Sequence, residues 1–161
     1  MKPLLHFLAI LCLALIHALP AQAQRIPESI VDHIGIAHVP GSGKALTESE
    51  VRTAIKHAAT SLGWTVADGQ NAQELIGTLI VRQKHTIQVT IRLEPKSYSV
   101  VYRDSVNMNH AKSGMTPEDR MVANIRGSTN LGGTEGPVIH PNYNRWVKDL
   151  VSAINHQIRA L

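Results

Sequence analysis

Apolar and polar residues alternate strictly along one stretch of the chain, with Ile87, Val89, Ile91 and Leu93 on one side and Thr86, Gln88, Thr90 and Arg92 on the other. A period of two sends successive side chains to opposite faces, so this segment predicts a half-buried antiparallel strand. Glu94, Pro95 and Lys96 make a turn, after which Tyr98, Val100 and Tyr102 carry the alternation on to Asp104. Upstream, Leu75 to Gln83 is rich in Leu, Ile and Val and reads as another strand, and Trp64 to Ala67 as a short one closed by the Asp68, Gly69 turn. Strand follows strand without an intervening helix, which predicts a meander and not a parallel sheet.

The period changes from two to 3.6 on either side of these strands. Thr47 followed by Glu50 forms a capping-box signature, Leu46 and Val51 are placed as a hydrophobic staple, and a helix is predicted to start at Thr47. Val51, Ala54, Ile55, Ala58 and Leu62 make its apolar face, and Gly63 stands where a C-terminal cap belongs. A second helix is predicted from Pro141 to Ala160, with Tyr143, Trp146, Val147, Leu150, Ile154 and Ile158 as its stripe. Each tryptophan adjoins a helix, so Trp64 and Trp146 are both expected under the sheet. The segment before Thr47 mixes Ile34, Ile36 and Val39 with Pro27, Pro40, Gly41 and Gly43, and allows one short strand near Ile34 to Val39. The predicted class is α+β: a two-layer domain in which about four antiparallel strands carry two helices on one face.

Two segments fall outside that plan. Residues 106–139 hold five of the eleven glycines with little periodicity, and loops beyond about 15 residues are functional or disordered as a rule. Thr116 to Asp119 marks the start of a short helix ending near Gly127 within it. The first 23 residues read as an export signal: Lys2, an apolar run from Leu4 to Leu19, then Ala21, Gln22, Ala23 as a small-x-small cleavage site. The run is shorter than the roughly 20 residues a spanning helix needs and ends at Pro20. The mature chain then starts at Gln24, divides into an extension over 24–46 and one domain over 47–161, and is periplasmic or secreted. Cys12, the only cysteine, leaves with the signal, so no disulfide or thiolate metal site holds the mature fold.

Charge narrows the partners. Cleavage removes Lys2, leaving 15 basic against 12 acidic residues with no basic run and no interleaved aromatics, a composition that speaks against nucleic acid. Pro40, Gly41, Ser42, Gly43, Lys44 imitates a phosphate loop, but His38 stands in place of the first glycine and Ala45 in place of the Ser or Thr that holds magnesium. It reads as a turn before the Thr47 cap.

The polar residues flanking the long loop are the main candidate site: Asp104, Ser105, Asn107 and His110 before it, His140, Asn142, Tyr143 and Asn144 after it. Asp104 near the first turn of the last helix would satisfy its free amides, making a structural latch. Asp104 and His140 as acid and base with Ser105 as nucleophile is the hydrolase alternative, although no Gly-x-Ser-x-Gly elbow is present. Every methionine after Met1 lies in the loop, and Met108, His110, Met115, Met121 and His140 are the ligand types that suit copper. Adaptable packing is the plain role of the same methionines. His33, His38, His57, His85 and His156 are dispersed and match no zinc pattern, so they read as surface or internally satisfied groups.

Tyr98, Ser99, Val100 and Tyr102 with Asp104, Ser105 and Asn107, followed by Ile139, His140, Asn142, Tyr143, Asn144 and Trp146, resemble a family of small exported bacterial proteins of unassigned activity, many of them lipoproteins. The likeness runs over about residues 47–160 and centres on the Ile-His-x-x-Tyr-Asn-x-Trp motif. This chain differs in lacking the lipid-attachment cysteine and in its longer loop before Ile139. The resemblance implies a bacterial envelope or secreted domain. With no strong catalytic motif, the expectation is a non-enzymatic binding or assembly module whose long loop meets an envelope or extracellular protein.

Overall fold

The computed structural model of the chain describes residues 26–112 and 136–161. The signal segment, the short helix expected from Thr116, Met115 and Met121 lie outside the described residues. The elements are β1 (Glu28–Ser29), β2 (His33–Ala37), α1 (Glu48–Ser61), β3 (Thr65–Asp68), β4 (Glu74–Val81), β5 (His85–Leu93), β6 (Ser97–Val106), β7 (Val138–Ile139) and α2 (Asn142–Arg159). The fold is α+β. Its principal sheet has five antiparallel strands in the order β2-β6-β5-β4-β3, and β1 pairs with β7 in a separate two-stranded ribbon. The fifth strand, β2, comes from the stretch before Thr47, where the sequence allows a strand but gives no sign that it joins the sheet edge beside β6.

One face of the sheet is apolar because the alternation holds through paired strands. Leu75 opposes Ile91, Leu79 opposes Ile87, Ile91 opposes Val100 and Leu93 opposes Tyr98, all of them buried. Both helices add their buried residues to this one core. The opposite face is mixed: Gln88 Nε2 donates to Thr78 Oγ1 at 3.2 Å and Arg103 Nη1 to Thr90 Oγ1 at 3.4 Å, while Ile76, Thr90 and Val101 form a row across the strands in which Thr90 is buried. Both helices cover only the aliphatic face, which is the face that strict alternation marks.

A bulge breaks that alternation in β6. The register shifts between Gln88 and Val89, so that Val89 faces Tyr102 while Gln88 faces Asp104, leaving Arg103 as the extra residue. One inserted residue reverses the facing of all that follow. Ser105, opposite Ile87, therefore turns to the core side, and Asp104 turns to the outer side.

α1 begins as its sequence predicts: Thr47 Oγ1 accepts the Glu50 N–H at 3.3 Å and Glu50 Oε2 accepts the Thr47 N–H at 2.7 Å. Such a cap is worth about 1 kcal/mol, whereas each buried Val or Ile contributes about 1.5 to 3 kcal/mol, so packing decides which face turns inward. That face is Val51, Ala54, Ile55, Ala58 and Ala59; Leu62, expected in the stripe, is 41% exposed because the helix closes just before it. Gly63, at φ +77°, turns the chain, and the Trp64 N–H bonds back to Ala59 O at 3.0 Å. Trp64 then lies over β4, where the missing side chain of Gly77 leaves room for its ring.

α2 buries Tyr143, Val147, Leu150, Val151, Ile154 and Ile158. Tyr98 reaches up from the sheet to it, with its hydroxyl 2.9 Å from Asn155 Oδ1. The Pro40 to Lys44 turn finds a structural use here: the Gly41 N–H donates to Arg159 O at 3.0 Å, and a Cβ on Gly41 would collide with that oxygen. No helix among the described residues is long and apolar enough to cross a membrane.

Trp146 corrects the expectation of two buried indoles, since it is only half-buried at the edge of the core while Trp64 is 3% exposed. Trp64→Ala should therefore cost about 3 to 5 kcal/mol and Trp146→Ala about half of that. Urea melts of the two variants measure this, and equal losses would contradict the placement.

Candidate functional site

The residues flanking the long loop meet at the end of the sheet where β6 finishes and α2 starts, but not in the arrangement their chemistry suggests. Asp104 is exposed on the outer face, and its Oδ1 accepts the N–H of the adjacent Ser105 at 2.8 Å. Ser105 Oγ lies on the core side, 3.1 Å from Tyr102 Oη. The Tyr102 ring stacks on His110 at 4.8 Å and meets Tyr143 edge-on at 5.5 Å. An acid, a nucleophile and a base split between opposite faces of a sheet do not form a triad, which is recognised by geometry alone.

Asn144 and His140 bond to backbone groups away from Asp104. Asn144 Oδ1 accepts the Val31 N–H at 3.1 Å and Asn144 Nδ2 donates to Ser29 O at 2.8 Å, so one side chain pairs with the segment after β1 as a strand would. His140 N–H donates to Met108 O at 2.8 Å, and His140 Nδ1 accepts the Asn142 N–H at 3.1 Å. The imidazole thus satisfies one of the free first-turn amides that Pro141, as N-cap, leaves without a side-chain partner. Asn107, at φ +58°, donates from Nδ2 to Lys84 O at 2.7 Å, and its carbonyl oxygen is 2.7 Å from His85 Nδ1, tying down the β4–β5 turn. Asp32 Oδ1 accepts the Tyr102 N–H at 2.8 Å. Asp32 carries no motif, and its role depends on a chain crossing invisible from sequence.

Tyr143 is fully buried and its hydroxyl has no hydrogen-bond partner among the described residues. Burial, with Asp32 and Tyr102 nearby, pushes that hydroxyl far above the ordinary phenol range, so it stays neutral. Of the expected copper ligands, Met108 is packed in the core and His110 stacks on Tyr102. Among the described residues no group of three or more His, Cys, Asp or Glu side chains is placed to hold a metal ion.

A different site lies at the opposite end of β6, around His38. The His38 N–H extends the sheet by donating to Lys96 O at 2.9 Å, and the ring stacks on Tyr98 at 6.1 Å. Its Nε2 is shut off from water and has no partner among the described residues, which corrects, for His38, the expectation that the dispersed histidines are surface or satisfied groups. Burial lowers the imidazole below its usual pKa, opposed in part by a hydrogen bond to the Ser97 backbone and by the Glu94 carboxylate. His38 lines a cavity of about 380 Å³ whose apolar lining is Leu46, Val51, Leu93 and Pro95. Glu48, Gln73 and Glu94 stand on its rim. A second cavity of about 280 Å³ shares His38, Leu46 and Pro95 and is flanked by Lys44 and Lys96. Leu46 and Val51 are legible as a helix staple, but nothing in sequence spacing brings them to Leu93 and His38.

Two predictions follow from these contacts. Asn144→Ala should cost about 1 to 2 kcal/mol by removing two bonds, of which the one to Ser29 O is part-buried and the one from the Val31 N–H exposed, while Asp104→Ala should stay within about 0.5 kcal/mol; denaturant melts rank them. For His38, the folded pKa lies below that of the unfolded chain, so as pH falls the unfolded chain takes up the proton first. Its contribution to stability is full above about pH 6.5 and declines below it, toward the lower folded pKa. His38→Phe should flatten the loss of stability between about pH 7.5 and pH 5.5; an unchanged slope in urea melts would assign it to other groups. Comparison of the chain with protein-family models, with curated proteins and with solved structures finds no match, so the reading of function rests on the geometry and the sequence.

Proposed function

We propose that this chain is an exported bacterial protein, periplasmic or secreted, that works as a binding or assembly module and carries out no chemistry of its own. The export half of the reading is supported by the signal pattern before Gln24 and by the likeness to small exported proteins. The observation that carries the binding half is the His38 groove: an apolar cavity of about 380 Å³ with a few polar groups at its rim and one buried, unpaired imidazole nitrogen. Such a concave apolar surface with sparse polar groups is the common form of a ligand site. The polar motif residues support the same reading, because Asn144, His140 and Asn107 bond to backbone groups and hold the fold. A partner protein of the envelope or exterior is the expected target for the module as a whole.

Expression of the full chain in a bacterial host, followed by fractionation and intact-mass measurement, tests export. The expected product is a chain starting at Gln24 in the periplasm or the medium; an uncleaved cytoplasmic product would overturn it. Esterase, peptidase and glycosidase substrates offered to that product should show no turnover that His140→Ala abolishes, and turnover lost in that variant would make the protein an enzyme.

A further inference from the structure

The two cavities at His38 share His38, Leu46 and Pro95 as lining residues, and their charged linings are opposite in sign. Glu48 and Glu94 line one cavity, Lys44 and Lys96 the other. Resting on the binding-module reading above, we propose that the two together take a short zwitterionic peptide, with its ammonium end at the glutamates, its carboxylate at the lysines and an apolar side chain between them.

Size, charge and the buried imidazole each bear on this class of ligand. Cavities of about 380 and 280 Å³ that adjoin lie in the range used for small ligands of a few residues. Neither Lys44 nor Lys96 forms an ion pair among the described residues, so the basic end has no internal counter-charge. Glu48 is already paired with Arg52 at 3.2 Å on a half-exposed side chain, and Glu94 accepts the Ser97 hydroxyl on Oε2, which leaves it acceptor capacity. Between the ends, Leu46, Val51, Leu93 and Pro95 offer no hydrogen-bonding side chain, which favours an apolar residue there. His38 Nε2 is buried with no hydrogen-bond partner among the described residues, and a neutral imidazole nitrogen accepts or donates according to its tautomer. A peptide group carries both a donor and an acceptor, so it can satisfy that nitrogen in either tautomer once part of its cover is displaced.

The test uses the mature chain and the tripeptide Ala-Leu-Ala, with the His38 ring signal in proton NMR as the readout, since His38 lines both cavities. A saturable shift of this signal is expected, with a Kd at or below about 1 mM. Acetylating the peptide amine, amidating its carboxylate, or replacing Glu94→Gln or Lys96→Gln should each weaken binding about fivefold, the scale of one exposed ion pair. Both variants alter exposed side chains, so folding is kept. No His38 shift at about 20 mM tripeptide, or equal affinity for the free and doubly blocked peptides, would overturn the proposal. Either result leaves export and the absence of turnover to stand on their own measurements.

Discussion

Everything in this fold depends on covering one face of a five-stranded sheet whose inner row is almost wholly aliphatic. α1 and α2 provide most of that cover, and both contribute to a single core with Trp64, Met108 and Ile139. α1 is bound locally by its capping box and by the short turn into β3. α2 is connected to β6 by a long excursion of chain, and its own N-cap, Pro141, offers no side-chain bond. Its seating therefore has to be held from outside. Asn144 and His140 hold its first turn, and the Gly41 N–H holds its last carbonyls, so the segment before Thr47 grips this helix at both ends. The polar motif and the imitation phosphate loop share that structural task.

Sequence pattern reveals this architecture where periodicity is uninterrupted. The capping box, the strands and both helices are legible because a period of two or 3.6 persists long enough to define a face. The alternation Tyr98, Val100, Tyr102 points to Asp104 as the next core-side residue, and the bulge at Arg103 hands that place to Ser105. A bulge is a property of two strands in register, and one strand read alone does not show it. Leu62 and Trp146 are exposed more than their spacing implies because helix ends and sheet edges cut the stripe short.

The candidate site was legible in part. Tyr143, Asn144 and His140 do cluster where β6 and α2 meet, yet their partners are Val31, Ser29 and Met108, which no motif marks. The groove at His38 was not legible, because its walls come from residues 38 to 95 and meet only when β2 joins the sheet and α1 folds back over it. The same staple that starts α1, Leu46 against Val51, lines this groove. A local device for folding thereby shapes the groove for which we propose a binding role, at the end of the sheet remote from the polar motif.

Native-state hydrogen exchange, resolved by residue, tests most directly whether the chain before Thr47 locks α2 onto the sheet. The amides of Val31, Tyr102 and Gly41 bond to Asn144 Oδ1, Asp32 Oδ1 and Arg159 O respectively. If these contacts are integral to the fold, all three exchange with an opening free energy within about 1 kcal/mol of the Ile91 amide in the central strand. Opening of Val31 and Gly41 about 3 kcal/mol easier than Ile91 would show that the segment frays independently and that α2 is seated by its apolar stripe alone.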